Sequence, residues 1–167
     1  MSNQKIFSIG LTMAGAVSAG AYTSGVLDYL IKALSSWEKA KADGEPDVPN
    51  GYNVNIEIMS GASAGGITAA LTALSLRQNH QPFDKNKPFN NLLYDCWVNM
   101  ADDGDQNNSI EKLLELDDLE AGVPIESLLN SKVIDLIAEK AVNYGPPKSD
   151  FPSFICAIEL PISDTSE

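Results

Sequence analysis

The amino-acid sequence predicts an α/β fold, arranged as three α/β/α layers around a mostly parallel sheet. Short apolar runs bounded by small or turn-forming residues indicate buried strands. They alternate with longer stretches in which apolar residues recur at helical spacing, and this alternation is typical of a parallel sheet covered by helices. At 167 residues, 44% of them hydrophobic, the chain is long enough for one domain with a sizeable core.

The first elements along the chain are predicted to be a strand, a helix and a second strand. Residues 6–13 form an apolar run that stops at small residues, which predicts a buried strand. Apolar residues recur at helical spacing over residues 21–41, which predicts a helix lying on the sheet. A loop rich in Gly and Pro, residues 42–51, precedes a second strand predicted over residues 54–59. The remaining predicted elements are helices over 65–78, 92–100, 110–116 and 131–142, and a third strand over 154–158.

Two loops of small residues follow the first two predicted strands. Because parallel neighbouring strands end at the same edge of a sheet, the loop of residues 14–20 should face the loop of residues 60–65. Open α/β sheets bind their ligands at such an edge. We therefore expect the functional site between these two loops.

The second loop carries the pattern Gly-x-Ser-x-Gly, with Ser63 between Gly61 and Gly65. A strand before this pattern and a helix after it are typical of a nucleophile elbow, a sharp strained turn that exposes a serine hydroxyl. Glycine suits positions 61 and 65 because side chains there would collide with neighbouring strands. A simple tight turn before an alanine-rich helix is the alternative interpretation.

Backbone amides from both loops would stabilise the oxyanion of a tetrahedral intermediate. The amide of Ala64 and the dipole of the following helix lie beside the serine, and the amides of Gly15, Ala16 and Val17 would supply the opposing donors. The first loop does not match a nucleotide-binding loop, because it lacks the Lys-Ser/Thr of a P-loop and Val17 interrupts Gly-x-Gly-x-x-Gly.

The sequence offers no histidine base for Ser63. His80 is the one histidine in the chain, and a helix of 15 residues, about 22 Å long, would separate it from the serine. We expect His80 to be a surface residue just before Pro82. A Ser-His-Asp triad of the α/β-hydrolase kind is therefore not expected.

The residues around both loops resemble the start of a patatin-like phospholipase domain. The resemblance rests on the runs Gly10-Leu11-Thr12-Met13-Ala14-Gly15-Ala16-Val17-Ser18-Ala19-Gly20-Ala21-Tyr22, Gly25-Val26-Leu27 and Gly61-Ala62-Ser63-Ala64-Gly65-Gly66. It implies a patatin-like fold and hydrolysis of lipid acyl esters by a Ser-Asp dyad without histidine. Ser63 is then the implied nucleophile, and a lipid or other acyl ester the implied substrate. Peripheral contact with a membrane and the oligomeric state stay open.

The oxyanion loop departs from the family pattern of several glycines followed by a basic residue. Gly15 and Gly20 match, whereas Ala16 and Val17 replace glycines and Ala19 replaces the basic residue. A backbone amide needs no glycine, so an oxyanion hole is still expected, with altered geometry.

The aspartate of the family, which precedes Gly-Gly or Gly-Ala after a later strand, has no counterpart here. Asp43-Gly44 lies at the wrong end of the sheet, and Asp103-Gly104 comes too early and is followed by Asp105. We therefore expect residues 1–167 to be the amino-terminal portion of one truncated patatin-like α/β hydrolase domain, with the oxyanion loop at 14–20, the nucleophile elbow at 61–65 and the base outside the chain.

Three functions compete at this point. The first is a lipid acyl hydrolase with Ser63 as nucleophile, and it requires no cofactor. The second is an inactive fragment or pseudoenzyme that keeps the fold for interaction, and the third is a small-ligand-binding domain with a Rossmann-like sheet. Residues 103–109 alternate oxygen ligands as a calcium loop does, but Asn108 and Leu114 replace the usual glycine and glutamate, so no metal is predicted.

Charge and composition bear on partners and location. The formal net charge of -12 repels nucleic-acid phosphates and anionic headgroups, and the single arginine, Arg77, argues against an arginine-lined phosphate site. Cys96 and Cys156 lack metal-ligand spacing, so a reduced, cytoplasmic compartment is expected, with a disulfide between them left open. A signal peptide is the alternative, because Lys5 precedes an apolar stretch with a small-residue cleavage site.

Overall fold

The computed structural model describes residues 5–15, 19–78, 80–100, 109–119, 121–125, 130–145 and 152–155. Its first half is the predicted strand, helix, strand and helix: β1 (Lys5–Met13), α1 (Ala19–Ala42), β2 (Tyr52–Gly61) and α2 (Ala64–Arg77). In the described part of the second half, a 3-10 turn at Pro88–Asn90 is followed by three shorter α-helices: α3 (Leu92–Trp97), α4 (Ser109–Lys112) and α5 (Lys132–Val142).

The sheet is parallel, and its two strands end together. β1 pairs with β2 from Lys5 opposite Tyr52 to Met13 opposite Gly61, with one register shift after Ile9. The shift leaves Glu57 of β2 without a partner in β1, as in a β-bulge. Both strands therefore deliver the loops that follow them to one edge of the sheet, as the sequence predicts.

The third predicted strand is seen only at its start. Ile56 of β2 forms a parallel bridge with Ile155, and its N–H donates to the carbonyl oxygen of Phe154 at 2.8 Å. β2 thus lies between β1 and this segment. The rest of the predicted strand, residues 156–158, lies outside the described residues.

Two predicted helices are shorter in the structure. Asn91 caps α3 by accepting a hydrogen bond from the Tyr94 N–H at 2.7 Å, and the helix ends at Trp97 instead of residue 100. Met100 has a positive φ of 52°, which a continuing α-helix does not allow. α4 ends at Lys112 because the next N–H groups, of Leu114 and Glu115, donate to carbonyls three residues back, as in a turn.

The core lies between the sheet and its helices. One cluster of buried side chains joins the end of β1 to α1, α2, α3 and α5, and consists of Met13, Leu27, Leu71, Leu92, Leu93, Cys96 and Ala141. A second cluster joins β2 to α1 and α2, and consists of Ile31, Leu34, Ile56, Leu76 and Phe154. The packing confirms the α/β class.

Candidate active site

Ser63 occupies a strained turn between β2 and α2. The Gly65 N–H donates to the Ala62 carbonyl at 2.9 Å, closing a four-residue turn in which Ser63 is the second residue. Its φ of 49° and ψ of -122° correspond to the first central position of a type II′ turn, which favours glycine. Holding a serine there costs about 1–3 kcal/mol, and such strain clusters at functional sites.

The two glycines of the elbow are required by close backbone packing. A Cβ on Gly65 would collide with the carbonyl group of Met13 in β1. A Cβ on Gly61 would collide with the backbone of Gly65, including its carbonyl oxygen at 2.7 Å. The turn therefore brings the start of α2 against the end of β1, in the way that the sequence predicts for a Gly-x-Ser-x-Gly elbow.

Ser63 is exposed, and its hydroxyl forms no hydrogen bond with the described residues. The side chain of Ser63 is exposed, and it makes no capping hydrogen bond to α2. Within the described ranges, its Oγ has no hydrogen-bond partner. Because a serine at a helix start normally caps the helix through its oxygen, the hydroxyl is left available for another role.

The first loop approaches Ser63 directly at Gly15. A Cβ on Gly15 would lie 2.7 Å from the Ala62 carbonyl oxygen and 2.9 Å from the Ser63 Cβ, so only a glycine lets the two loops come this close. Among the described residues, neither the Gly15 N–H nor the Ala64 N–H donates to a backbone carbonyl outside the strands and helices. Ala64 is also the first residue of α2, where backbone N–H groups lack intrahelical acceptors. Two predicted oxyanion donors, Ala16 and Val17, lie outside the described residues.

An apolar side chain borders Ser63 on the same side of α2. Ile67 follows Ser63 by four residues, and its N–H donates to the Ser63 carbonyl at 3.0 Å. Residues four apart in a helix lie on one face, and side chains lean toward the helix amino terminus. Ile67 is 47% exposed, so the first turn of α2 presents an open apolar side chain.

The prediction for His80 is wrong, because this side chain is buried. Only 5% of the His80 side chain is exposed, and its Nε2 lies 2.9 Å from Oδ1 of Asp28 in α1. Its Nδ1 lies 2.6 Å from Oγ of Ser75 in α2. A charged residue at position 28, between the buried positions Leu27 and Ile31, was the sequence signal for a buried polar partner.

Asp28, His80 and Ser75 form a triad-like chain of contacts that is closed to substrate. Ser75 has no exposed surface, and it lies near the far end of α2 from Ser63. The Asp28 carboxylate also accepts from the Phe83 N–H at 3.1 Å and from Asn91 Nδ2 at 2.6 Å. The arrangement therefore fastens the segment before α3 to α1 and α2, with Ser75 fully buried.

The environment of Asp28 favours its charged form. Burial acts to raise the pKa of this carboxyl, but the hydrogen bond and charge of His80, with further hydrogen bonds from Phe83 and Asn91, hold it below the ordinary value. Asn91 Nδ2 also donates to the Gln81 carbonyl at 2.7 Å, so both of its N–H groups have an acceptor. Asp28 is thus a structural carboxylate, and its hydrogen-bond partners are residues other than Ser63.

Cys96 is not a second nucleophile. Its thiol is free and buried, and burial together with the neighbouring Asp95 charge raises its pKa to about 12, against the opposing effect of Lys140. A thiol with this pKa stays protonated near neutral pH.

Cys156 and residues 103–108 of the calcium-like pattern lie outside the described residues. In the described part of the chain, no helix is both long and apolar enough to cross a membrane.

The fold and this edge define an α/β protein with a serine on a strand-turn-helix elbow. The sequence matches the patatin-like phospholipase family over residues 11–142, and the chain therefore belongs to this family.

One curated relative covers most of the chain. Over 149 residues the chain is 42% identical to the uncharacterized protein y4iI of Sinorhizobium fredii (strain NBRC 101917 / NGR234), covering 81% of this chain and 20% of that protein. The chain thus spans about a fifth of the length of this relative. No solved structure matches the chain.

Proposed function

We propose that the protein is a lipid acyl hydrolase in which Ser63 attacks the carbonyl carbon of an ester. An aspartate outside residues 1–167 takes the hydroxyl proton and returns it to the leaving alcohol. The carbonyl oxygen becomes an oxyanion that accepts hydrogen bonds from the amides of Gly15, Ala16, Val17 and Ala64. Water then releases the acid from Ser63, and the reaction needs neither metal nor cofactor.

One observation carries this proposal. An exposed serine with no hydrogen-bond partner among the described residues occupies a backbone conformation that favours glycine. The family match alone would be compatible with a serine buried or turned away. Strain of this kind persists only when the surrounding structure imposes it, here through the contacts of Gly61 and Gly65.

The surroundings of Ser63 support an ester with an apolar acyl chain. Ile67 offers an exposed aliphatic surface one helical turn from the nucleophile. Tyr22, in the first turn of α1 directly after the first loop, is 77% exposed. Apolar contacts of this kind would bind an acyl chain. We also propose that the protein contacts a membrane peripherally and that it is located in the cytoplasm. The free Cys96 thiol supports a reduced compartment.

An activity-based label tests the nucleophile directly. In the full-length protein, a fluorophosphonate should label one serine, and Ser63→Ala should abolish both labelling and ester hydrolysis. Ser60→Ala is the matched control, since Ser60 is also exposed, lies three residues earlier and has Oγ 3.2 Å from Thr12 Oγ1. Labelling that survives in Ser63→Ala would contradict the assignment.

A catalytically inactive member of the family is the second candidate. It is favoured because the described carboxylates nearest to the core are engaged elsewhere: Asp28 with His80, and Asp95 with Lys140 at 2.6 Å. On this alternative, the folded full-length protein would hydrolyse no p-nitrophenyl ester at any pH and would resist fluorophosphonate. That result would overturn the hydrolase proposal.

A further inference from the structure

Helix α1 has uncharged, small or apolar side chains on two opposite faces. Its inner face carries Leu27, Ile31 and Leu34, which are buried against the rest of the fold. On the opposite face, small or apolar side chains follow one another at alternating spacings of four and three residues, the spacing of a coiled-coil seam. This outer seam consists of Tyr22, Val26, Tyr29, Ala33, Ser36 and Ala40.

The outer seam is open to solvent. Tyr22 is 77% exposed, Tyr29 is 73% exposed and Val26 is 49% exposed. Ala33 and Ser36 are exposed as well, and no member of the seam carries a charge. A helix that covers a sheet usually presents a polar face to water, so an uncharged seam with two exposed tyrosines indicates a surface that binds a partner.

The order of side-chain sizes along the outer seam makes it self-complementary. Large side chains occupy its amino-terminal half, and small ones occupy its carboxyl-terminal half. If two copies of α1 run antiparallel, with a twofold axis level with Ile31, each large side chain of one copy faces a small one of the second copy. The resulting layers are Tyr22 opposite Ala40, Val26 opposite Ser36 and Tyr29 opposite Ala33.

A parallel pair of helices fits less well. It would place Tyr29 against Tyr29 and Ala33 against Ala33, so the bulky layers would hold the helices apart where the small layers require a close approach. The pattern of sizes therefore selects the antiparallel arrangement.

The area of the antiparallel interface is sufficient for a specific dimer. The two copies together contribute four tyrosines that are each about three-quarters exposed, and their burial removes on the order of 500 Å² from water. The smaller seam residues and their neighbours bring the interface to about 1,000 Å², which is the lower limit for a specific complex. We therefore expect a dissociation constant in the micromolar range.

We propose that the outer seam of α1 is a homodimer interface, in which α1 pairs antiparallel with α1 of a second copy of this chain. This inference goes beyond the proposed hydrolase function and does not depend on it. Tyr22 belongs to the outermost layer, in the first turn of α1. Its ring therefore lies at the rim of the interface, where it can still border the first loop.

Disulfide cross-linking tests the pairing and its direction. In the full-length protein, Val26→Cys of one copy should lie against Ser36→Cys of another, so oxidation of the two variants after mixing should give a covalent dimer. Neither variant should cross-link alone, because like positions are about 15 Å apart along the antiparallel helices.

Val26→Cys mixed with Ser35→Cys is the matched control, since Ser35 is exposed and adjacent to Ser36 but lies outside the outer seam. Cross-linking of Val26→Cys alone would indicate a parallel pair and would overturn the proposal. The proposal is also overturned if the mixture of Val26→Cys and Ser36→Cys gives no more covalent dimer than the unaltered protein.

A size swap tests the packing of one layer. Tyr29→Ala removes the large side chain, and Ala33→Tyr adds a second one to the same layer, so each should raise the Kd of dimerisation at least about tenfold in sedimentation equilibrium. The double variant has one large and one small side chain in the layer again, and its Kd should return to within about threefold of the original value. Both positions are exposed, so the unfolding midpoint should not change. Additive losses in the double variant would contradict the proposal.

Other occupants of the outer seam would give different results. If the seam binds a lipid surface, Ala33→Tyr would strengthen binding to phosphatidylcholine vesicles, and the protein would stay monomeric. If another part of the full-length protein covers the seam, Val26→Cys would resist a maleimide in a monomeric protein. Either result would overturn the homodimer.

Discussion

Two serines at opposite ends of α2 have opposite environments. Ser63, just before the helix, is exposed, has no hydrogen-bond partner in the described residues and sits at φ 49°. Ser75, near the other end, has no exposed surface and lies 2.6 Å from Nδ1 of His80. By residue types alone, Ser75 with His80 and Asp28 would pass for a catalytic triad. Ser63 is the better candidate nucleophile, because it is exposed and its hydroxyl has no hydrogen-bond partner among the described residues.

The two regions differ in how they affect the stability of the native state. Around Ser63 the fold maintains backbone strain, and the serine hydroxyl has no hydrogen-bond partner among the described residues; both cost stability. Around Ser75 the hydrogen bonds of His80, Asp28 and Asn91 fasten α1, α2 and the segment before α3. Substitutions at Ser63 should therefore abolish activity without lowering stability, whereas substitutions around Ser75 should lower stability without changing activity.

Gly65→Ala should have the largest effect. The added Cβ would meet the backbone carbonyl of Met13, so α2 and β1 must move apart, and we expect a loss of about 3 kcal/mol in the free energy of unfolding together with loss of Ser63 labelling. Urea unfolding measures the first effect. Gly25→Ala is the control and should be stabilising by about 0.5–1 kcal/mol, as expected for an unobstructed helical glycine. A neutral Gly65→Ala would contradict the tight elbow.

Removing the imidazole of His80 should be the next largest change. His80→Ala removes the partner that Ser75 and Asp28 share, while Asp28 keeps its hydrogen bonds from Phe83 and Asn91, so it should destabilise the protein by about 2 kcal/mol. Ester hydrolysis per folded molecule should be unchanged. If His80→Ala abolishes hydrolysis without loss of stability, the histidine is catalytic and the comparison of the two serines is wrong.

Ser63→Gly should be stabilising by about 1 kcal/mol. Glycine adopts the φ and ψ of this position without the steric cost that serine bears. Ser63→Ala keeps a Cβ and therefore the strain, so its unfolding midpoint should stay near that of the unaltered protein. Both variants should lack hydrolysis. A Ser63→Gly variant less stable than Ser63→Ala would show that the turn is not strained at this residue.

Acid should reveal the contribution of Asp28, which is the smallest predicted effect. Its pKa in the folded protein lies below the ordinary value of 3.8, so the unfolded chain binds more protons and stability falls as the pH drops from about 3.8 through the folded pKa. Asp28→Asn should remove this part of the pH dependence. The lowered pKa of Asp117, an exposed partner of Lys132, is the comparison, because added salt should weaken its effect but not that of Asp28.

The elbow was predictable because its signal is local. A Gly-x-Ser-x-Gly pattern between an apolar run and a helical stretch specifies a short turn. Glycine at 61 is needed for a contact with the backbone of Gly65, only four residues away, and glycine at 65 is needed because the turn lies against Met13 of the neighbouring strand. The place of Gly15 followed from topology, since parallel neighbouring strands must end at one edge. Catalysis by Ser63 stays a prediction that labelling will decide.

The environment of His80 was not predictable because its partners are distant in the chain. A polar residue near a proline and outside a helix is usually exposed, and the charge at position 28 indicates a buried polar partner without identifying it as His80. The same holds for Trp97 and Gly20: a Cβ on Gly20 would meet the six-membered ring of Trp97, although β2 and α2 lie between the two residues in the chain. The lengths of α3 and α4 were overestimated for a related reason: apolar spacing continues where turn geometry has already ended the helix.

The sequence by itself determined the α/β class, the order of its first elements, the family and the serine that the family pattern selects. These follow from periodicity and from short motifs, in which the interacting residues are close in the chain. Only the tertiary structure decided that Ser75 and His80 are closed to substrate, that Gly15 touches the elbow and that Trp97 covers Gly20. Such contacts depend on how separate elements pack, and packing is set by the shape of the whole core rather than by any one segment.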